Sequence, residues 1–189
     1  MLLSMKPSTP RLAGIGLRLV EGALKSTPLP RLLSRLVVAG HLGCPQCGWS
    51  TAWTDASHDF GEGWRATTTP VFDAAAAHAL LGLEGSGGWV ALAGEAGALA
   101  RDLAALLPGV AIVAINPPAA IVPDAAASVI VSGAWPLKTH SMRGIVLGAD
   151  ASGWRDAAQA SVLPGLRLVG QGAPPAGPGV ELLGDAGGV

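Results

Sequence analysis

The sequence predicts an α/β fold, a parallel sheet with helices packed on both of its faces. Three observations carry this. From Pro70 onward, short apolar runs alternate with longer alanine- and leucine-rich runs. The short runs, WVALA, VAIVAI, SVIVS and GIVL, lack the polar alternation of a half-solvated strand, so both their faces are expected to be buried. The stretch GGWVALAGEAGALAR, residues 87–101, reads as a strand, a glycine turn and a helix start.

The elements follow in order. Residues 72–83 (FDAAAAHALLGL) are expected to form a helix with Asp73 in its first turn, and 89–93 a strand. A helix over 96–107 leads to a strand over 110–115, rich in β-branched residues. Residues 118–127 make a poorer helix, 128–132 and 144–147 strands, 152–161 a helix and 165–170 a final strand. The segment APPAGPG (173–179) is a rigid connector, and little follows it before the last residue, Val189.

Composition bounds the rest. A chain of 189 residues, half of them hydrophobic and 13% charged, can form one domain of about 120–150 residues with an extension. We divide it into a basic arm (1–40), a Cys- and Trp-containing connector (41–70) and the α/β domain (71–189). The arm carries Lys6, Arg11, Arg18, Lys25, Arg31 and Arg35 against Glu21 alone, a net +5, so the rest of this −1 chain is at −6. A basic arm on an acidic body points to an anionic surface or an acidic partner. Nucleic acid is not expected, because the positive charge is confined to the arm. No apolar run is long enough to span a bilayer, and the first residues lack a signal-peptide hydrophobic core. The expected location is cytoplasmic, at most peripheral on the membrane face.

Within the arm, Leu12, Ile15, Leu19 and Ala23 recur at helical spacing while Arg11, Arg18 and Lys25 lie seven apart. Pro28 and Pro30 end that helix, and RLLSRLVVA (31–39) can form a second. The apolar sides can cover the arm's own domain or dock on a larger partner. In the connector, Cys44-Pro-Gln-Cys47-Gly has the form of a zinc knuckle, with two thiolates spaced to share one tetrahedral metal. No second cysteine pair completes it. His41 and His58 are the available substitutes, and two reduced thiols in a turn are the plainer reading. Trp49, Trp53, Phe60 and Trp64 follow closely and read as a plug between extension and domain, or as an interface.

Several local patterns over residues 71–170 resemble the class I S-adenosylmethionine-dependent methyltransferases, a Rossmann-like family. WVALAGEAG resembles its first strand and glycine-rich turn. PGVAIVAIN (108–116) resembles its second strand. AWPLKTHSMRGIVL (134–147) resembles the stretch into its fourth, and SVLPGLRLVG (161–170) the stretch through its fifth. The resemblance implies that Ala91 stands where the family's first strand carries an acid. It puts Ala93, Glu95 and Gly97 on the three glycine positions, or Gly94 on the first if the register slides by one. Asn116 then replaces the acid that holds the cofactor's ribose. These are vestigial positions: side chains obstruct a turn built for backbone approach, and a neutral amide replaces a carboxylate.

Restored binding would need other groups, such as Glu84, Asp124 or Asp150. His78 and His140 read as ordinary helix and loop residues, and Asn116-Pro-Pro as a helix-entry turn. No catalytic residue is expected, and the C-terminal hairpin of the family is expected to be shortened. The functional expectation is a degenerate, non-catalytic member that serves as a structural or accessory subunit of a larger complex, with no cofactor. The alternatives are an active S-adenosylmethionine-dependent methyltransferase with an atypical loop, or a zinc-stabilised binding module.

Overall fold

A computed structural model of the protein describes residues 39–43, 50–54, 57–60, 62–171, 181 and 183. Three short strands, β1 (Ala39–Gly43), β2 (Ser50–Thr54) and β3 (Ser57–Asp59), precede five more: β4 (Trp89–Ala93), β5 (Ala111–Ile115), β6 (Ala127–Val131), β7 (Met142–Leu147) and β8 (Val162–Gly170). The sheet order is β1-β2-β3-β6-β5-β4-β7-β8. β4 lies centrally, with β5 and β6 laid out on one side and β7 and β8 on the other, all parallel. This is the strand order of a Rossmann-like, doubly wound sheet.

The predicted absence of polar alternation is met by burial on both faces. Along β4, Trp89, Ala91 and Ala93 enter one core cluster and Val90 and Leu92 the opposite one. β5 divides in the same way, Val113 and Ile115 against Ile112 and Ala114. On the second face lie α1 (Ala74–Leu81) and α2 (Ala100–Leu106), through Ala77, Leu81, Ala100 and Leu103. On the first lies α3 (Arg155–Ser161), through Ala158. Asp73 caps α1 by accepting the Ala76 N–H at 2.8 Å, and Gly82 closes it in the left-handed conformation, φ 56°. The Arg143 guanidinium on β7 binds the carbonyls of Glu84 and Gly87, each at 2.6 Å, and so fixes the loop that enters β4.

Several expectations need correction. Residues 118–127 form no helix. Pro117, Pro118 and Pro123 interrupt the run, a single turn closes from Ile121 N–H to the Pro118 carbonyl, and Asp124 Oδ1 accepts the N–H groups of Ala126 and Ala127. Asn116-Pro-Pro is therefore not a helix entry. The helices expected over 96–107 and 152–161 start earlier, as tighter 3-10 turns over Gly94–Leu99 and Ala149–Trp154. The final strand begins at Val162, three residues before the expected start. Finally, the end of the segment read as an arm and the segment read as a connector supply β1, β2 and β3. β1 and β2 pair antiparallel, as do β2 and β3, and β3 joins the core by pairing parallel to β6, Ser57 opposite Val129. The helix expected over 10–24 and the connector at 173–179 lie outside the described residues, as does the helix expected over 31–39 except for Ala39, which is the first residue of β1.

Candidate functional site

Doubly wound sheets bind ligands outside the carboxyl ends of their strands, where the strand order reverses. Here that point lies between β4 and β7, so the crevice belongs to the turns after Ala93 and Leu147 and the end of β5 at Asn116.

The turn after β4 is made by Gly94, at φ 64°, a conformation open to glycine at little cost. The glycine that turns the chain is therefore Gly94, the slid register. Ala93 is the last extended residue of β4, and Ala91 and Ala93 are wholly buried in the sheet core. Gly97 faces Pro117: a Cβ on it would stand 2.6 Å from that ring. Both glycines of the turn thus meet the protein's own side chains, since a Cβ on Gly94 would fall 2.0 Å from Asp150 Oδ1.

Two carboxylates fill the crevice. Glu95 is only 4% exposed, and its Oε1 accepts the Ala149 N–H at 3.1 Å while Oε2 accepts a short hydrogen bond from the Thr68 hydroxyl. In return, Asp150 Oδ1 accepts the Glu95 N–H at 3.0 Å. Each acid satisfies a donor at the start of the other's helical segment, which is where an anionic ligand would otherwise sit. Asn116 is equally committed. Fully buried, at φ 50°, it accepts the Ser132 N–H through Oδ1 and donates through Nδ2 to the Ser132 carbonyl, both at 2.8 Å. The amide acts as an extra rung between the ends of β5 and β6, with neither group directed at a ribose.

Over these groups runs a strap, residues 62–68. It enters from Phe60, whose N–H donates to the Val131 carbonyl at 2.8 Å. Gly63 presses on the end of β6, where a Cβ would stand 2.3 Å from Val131 Cγ1. Ala66 N–H then donates to the Asn116 carbonyl at 3.2 Å, and Thr68 reaches Glu95. The strap therefore crosses the sheet's carboxyl edge from β6 to β5 to β4. Phe60 and Trp64 pack against the first core cluster, and the Trp64 ring lies 5.8 Å from Trp154, itself 5.7 Å from Trp135. Phe60 and Trp64 thus sit against the domain's core; Trp49 lies outside the described residues, as does the side chain of Trp53. Glu95, Asp150 and Asn116 direct their polar groups at the protein's own backbone and at Thr68, with the strap passing over them.

The remaining candidates are scattered. Asp124 binds Arg101 at 2.7 Å on the surface, and Glu84 lies at the opposite end of the sheet, in the loop that Arg143 holds. His78 is in α1, beside a depression of about 310 Å³ lined also by Leu83, Ser86, Leu106 and Pro108 at the amino end of β4, away from the crevice. His140 sits in an exposed loop whose N–H donates to the Ala160 carbonyl. His41 pairs across β1–β2 with Ala52, and His58 lies opposite Ile130, so β2 separates the strands that carry them. Cys44 and Cys47 lie outside the described residues, and among the described residues no group of three or more His, Cys, Asp or Glu could hold a metal. No helix among the described residues is long and apolar enough to cross a membrane.

Asp150 carries a pH signature. Partial desolvation in the crevice pushes the Asp150 carboxyl above its ordinary range, and the nearby Glu95 charge adds to this, against the lowering effect of the Glu95 N–H. An acid with a raised folded pKa favours the fold when protonated. Its cost therefore appears as pH rises past the unfolded value, near 3.8, and is full above the folded one. Asp150→Asn keeps the acceptor for Glu95 and removes the charge. Its Tm is expected to equal or exceed that of the wild type at pH 7, with the gap closing by pH 3.5. Since Asp150 is exposed as a residue, the gain is at most about 0.5 kcal/mol. Thermal scans from pH 3.5 to 7.5 check it.

Of the groups in the crevice, Thr68 and Ser132 carry no sequence signal that connects them with it. Gly94 did carry one, as the glycine directly after an apolar strand. Neither a family model, a curated protein nor a solved structure matches this chain.

Proposed function

We propose that this chain is a non-catalytic, methyltransferase-like protein that works as a structural or accessory subunit. It docks on a larger assembly through its basic N-terminal arm and aromatic segment, at the cytoplasmic face of a membrane when the assembly lies there. The observation that supports this reading is Glu95, whose buried carboxylate fills the turn that a cofactor of this fold would use. An exogenous ligand would have to displace that group and lift the strap before making its first contact. The net +5 of residues 1–40 against the acidic remainder supports the arm as the docking element.

Calorimetric titration of the full chain with S-adenosylmethionine and S-adenosylhomocysteine is expected to give no saturable heat. Micromolar binding of either would sink the reading. One observation favours the second reading, an active methyltransferase with an atypical loop: Gly94 keeps the left-handed turn at the switch point. That reading requires Glu95 to swing out and Asn116 to release Ser132, which the same titration would detect.

A further inference from the structure

The strap and the attachment of the N-terminal strands are one piece of chain. Among the described residues, β1 and β2 join the sheet through β3 and its pairing with β6, and residues 62–68 follow β3 closely in the chain. Its near end is held firmly, by the 2.8 Å bond from Phe60 N–H and by Gly63 pressed on Val131. Glu62 there takes φ 54°, a conformation that a non-glycine residue keeps only when its surroundings impose it. Glu62 also meets the other side of the β6 exit, where a Cβ on Gly133 would stand 2.8 Å from its carbonyl oxygen. The far end is held more lightly. One backbone bond of 3.2 Å at Ala66 and one hydroxyl at Thr68 join it to β5 and β4. Local openings start where few bonds hold a segment.

We propose that residues 62–68 are a releasable cover, latched where Thr68 meets Glu95, and that displacement of β3 from β6 opens it. The crevice is then closed while the N-terminal strands rest on the sheet and exposed when they are drawn away, as docking of the arm would do. Opening parts Trp64 from Trp154 and uncovers Asn116 and Glu95, both buried polar residues that the strap contacts. The docking reading supplies only what pulls on β3. The cover itself is tested separately, and a blank titration with S-adenosylmethionine leaves it untouched.

The experiment is hydrogen–deuterium exchange on the full chain, comparing wild type with Thr68→Val and His58→Pro. Thr68→Val keeps the shape and removes the latch hydroxyl. Amides of 62–68 are expected to exchange at least tenfold faster, while those of β4, β5 and β7 are unchanged. His58→Pro removes a backbone donor from the middle of β3 and is expected to produce the same local acceleration although it lies outside the strap. Unchanged exchange at 62–68 in Thr68→Val overturns the latch. Unchanged exchange there in His58→Pro overturns the coupling to β3. A rise of equal size in β4 and the strap in either variant also overturns the proposal, because strap and sheet would then open as one unit.

Discussion

Replacing Glu95 with alanine is expected to lower the stability of the protein by about 2 kcal/mol, several degrees in Tm, while Glu95→Gln costs less than half as much. The carboxylate is buried and accepts from both Ala149 N–H and the Thr68 hydroxyl. Alanine leaves both donors without their acceptor beside a buried position, and an orphan that water does not reach costs roughly 1–3 kcal/mol. Glutamine keeps an oxygen for Ala149, and its amide can donate to the Thr68 oxygen. Urea unfolding of the three proteins measures the difference. A loss under about 0.5 kcal/mol for alanine would show that the crevice is open to solvent and that the strap does not cover it. Small anions provide a second readout. If Glu95 occupies an anion position, acetate should restore part of the alanine variant's Tm and leave the wild type unmoved.

The second large effect belongs to Asn116. The methyltransferase resemblance suggests Asn116→Asp as the change that restores a cofactor acid. The geometry predicts instead a loss of about 3 kcal/mol at pH 7 and no gain in ligand affinity. Nδ2 donates to the Ser132 carbonyl at 2.8 Å, and a carboxylate would set an unpaired charge against that oxygen in a fully buried position. Protonation converts the same oxygen to a donor, so the defect should shrink as pH falls toward 4. Asn116→Ala should be nearly as costly at every pH. It orphans both Ser132 groups and puts alanine at φ 50°, where asparagine is tolerated better. Denaturation at pH 4 and 7 separates the two, and an Asn116→Asp protein as stable as the wild type at pH 7 would refute the rung.

The parallel core was legible because its signal is local. Four-to-six-residue apolar runs such as 89–93 and 111–115 can be buried only between two layers of helix. What failed was also local. The alanine run after Pro118 has helical propensity, but propensity is a weak prior beside three prolines and an aspartate ready to turn the chain. β1, β2 and β3 escaped notice because short strands owe their existence to neighbours distant in sequence, and β3 depends on Val129–Val131. The crevice was half legible. The sequence marks Glu95 in the turn after the first core strand and Asn116 at the end of the second, and the structure puts both at the carboxyl edge of the sheet. Their partners were hidden, because nothing in residues 68, 132 or 149 announces that it will meet them.

The pairing of β3 with β6 also sets an order of assembly. Residues 57–59 are made some seventy residues before 129–131, the strand they lie against. They have no core partner until β6 has been made, and the loop that this pairing closes is longer than those between the other paired strands, so it is expected to form late. Through that interval the outer edge of β6 shows a bare row of donors and acceptors, able to recruit a strand from another chain. The part of this protein synthesised earlier finds its place later, and until it does, the β6 edge is where the molecule is most exposed to a wrong partner.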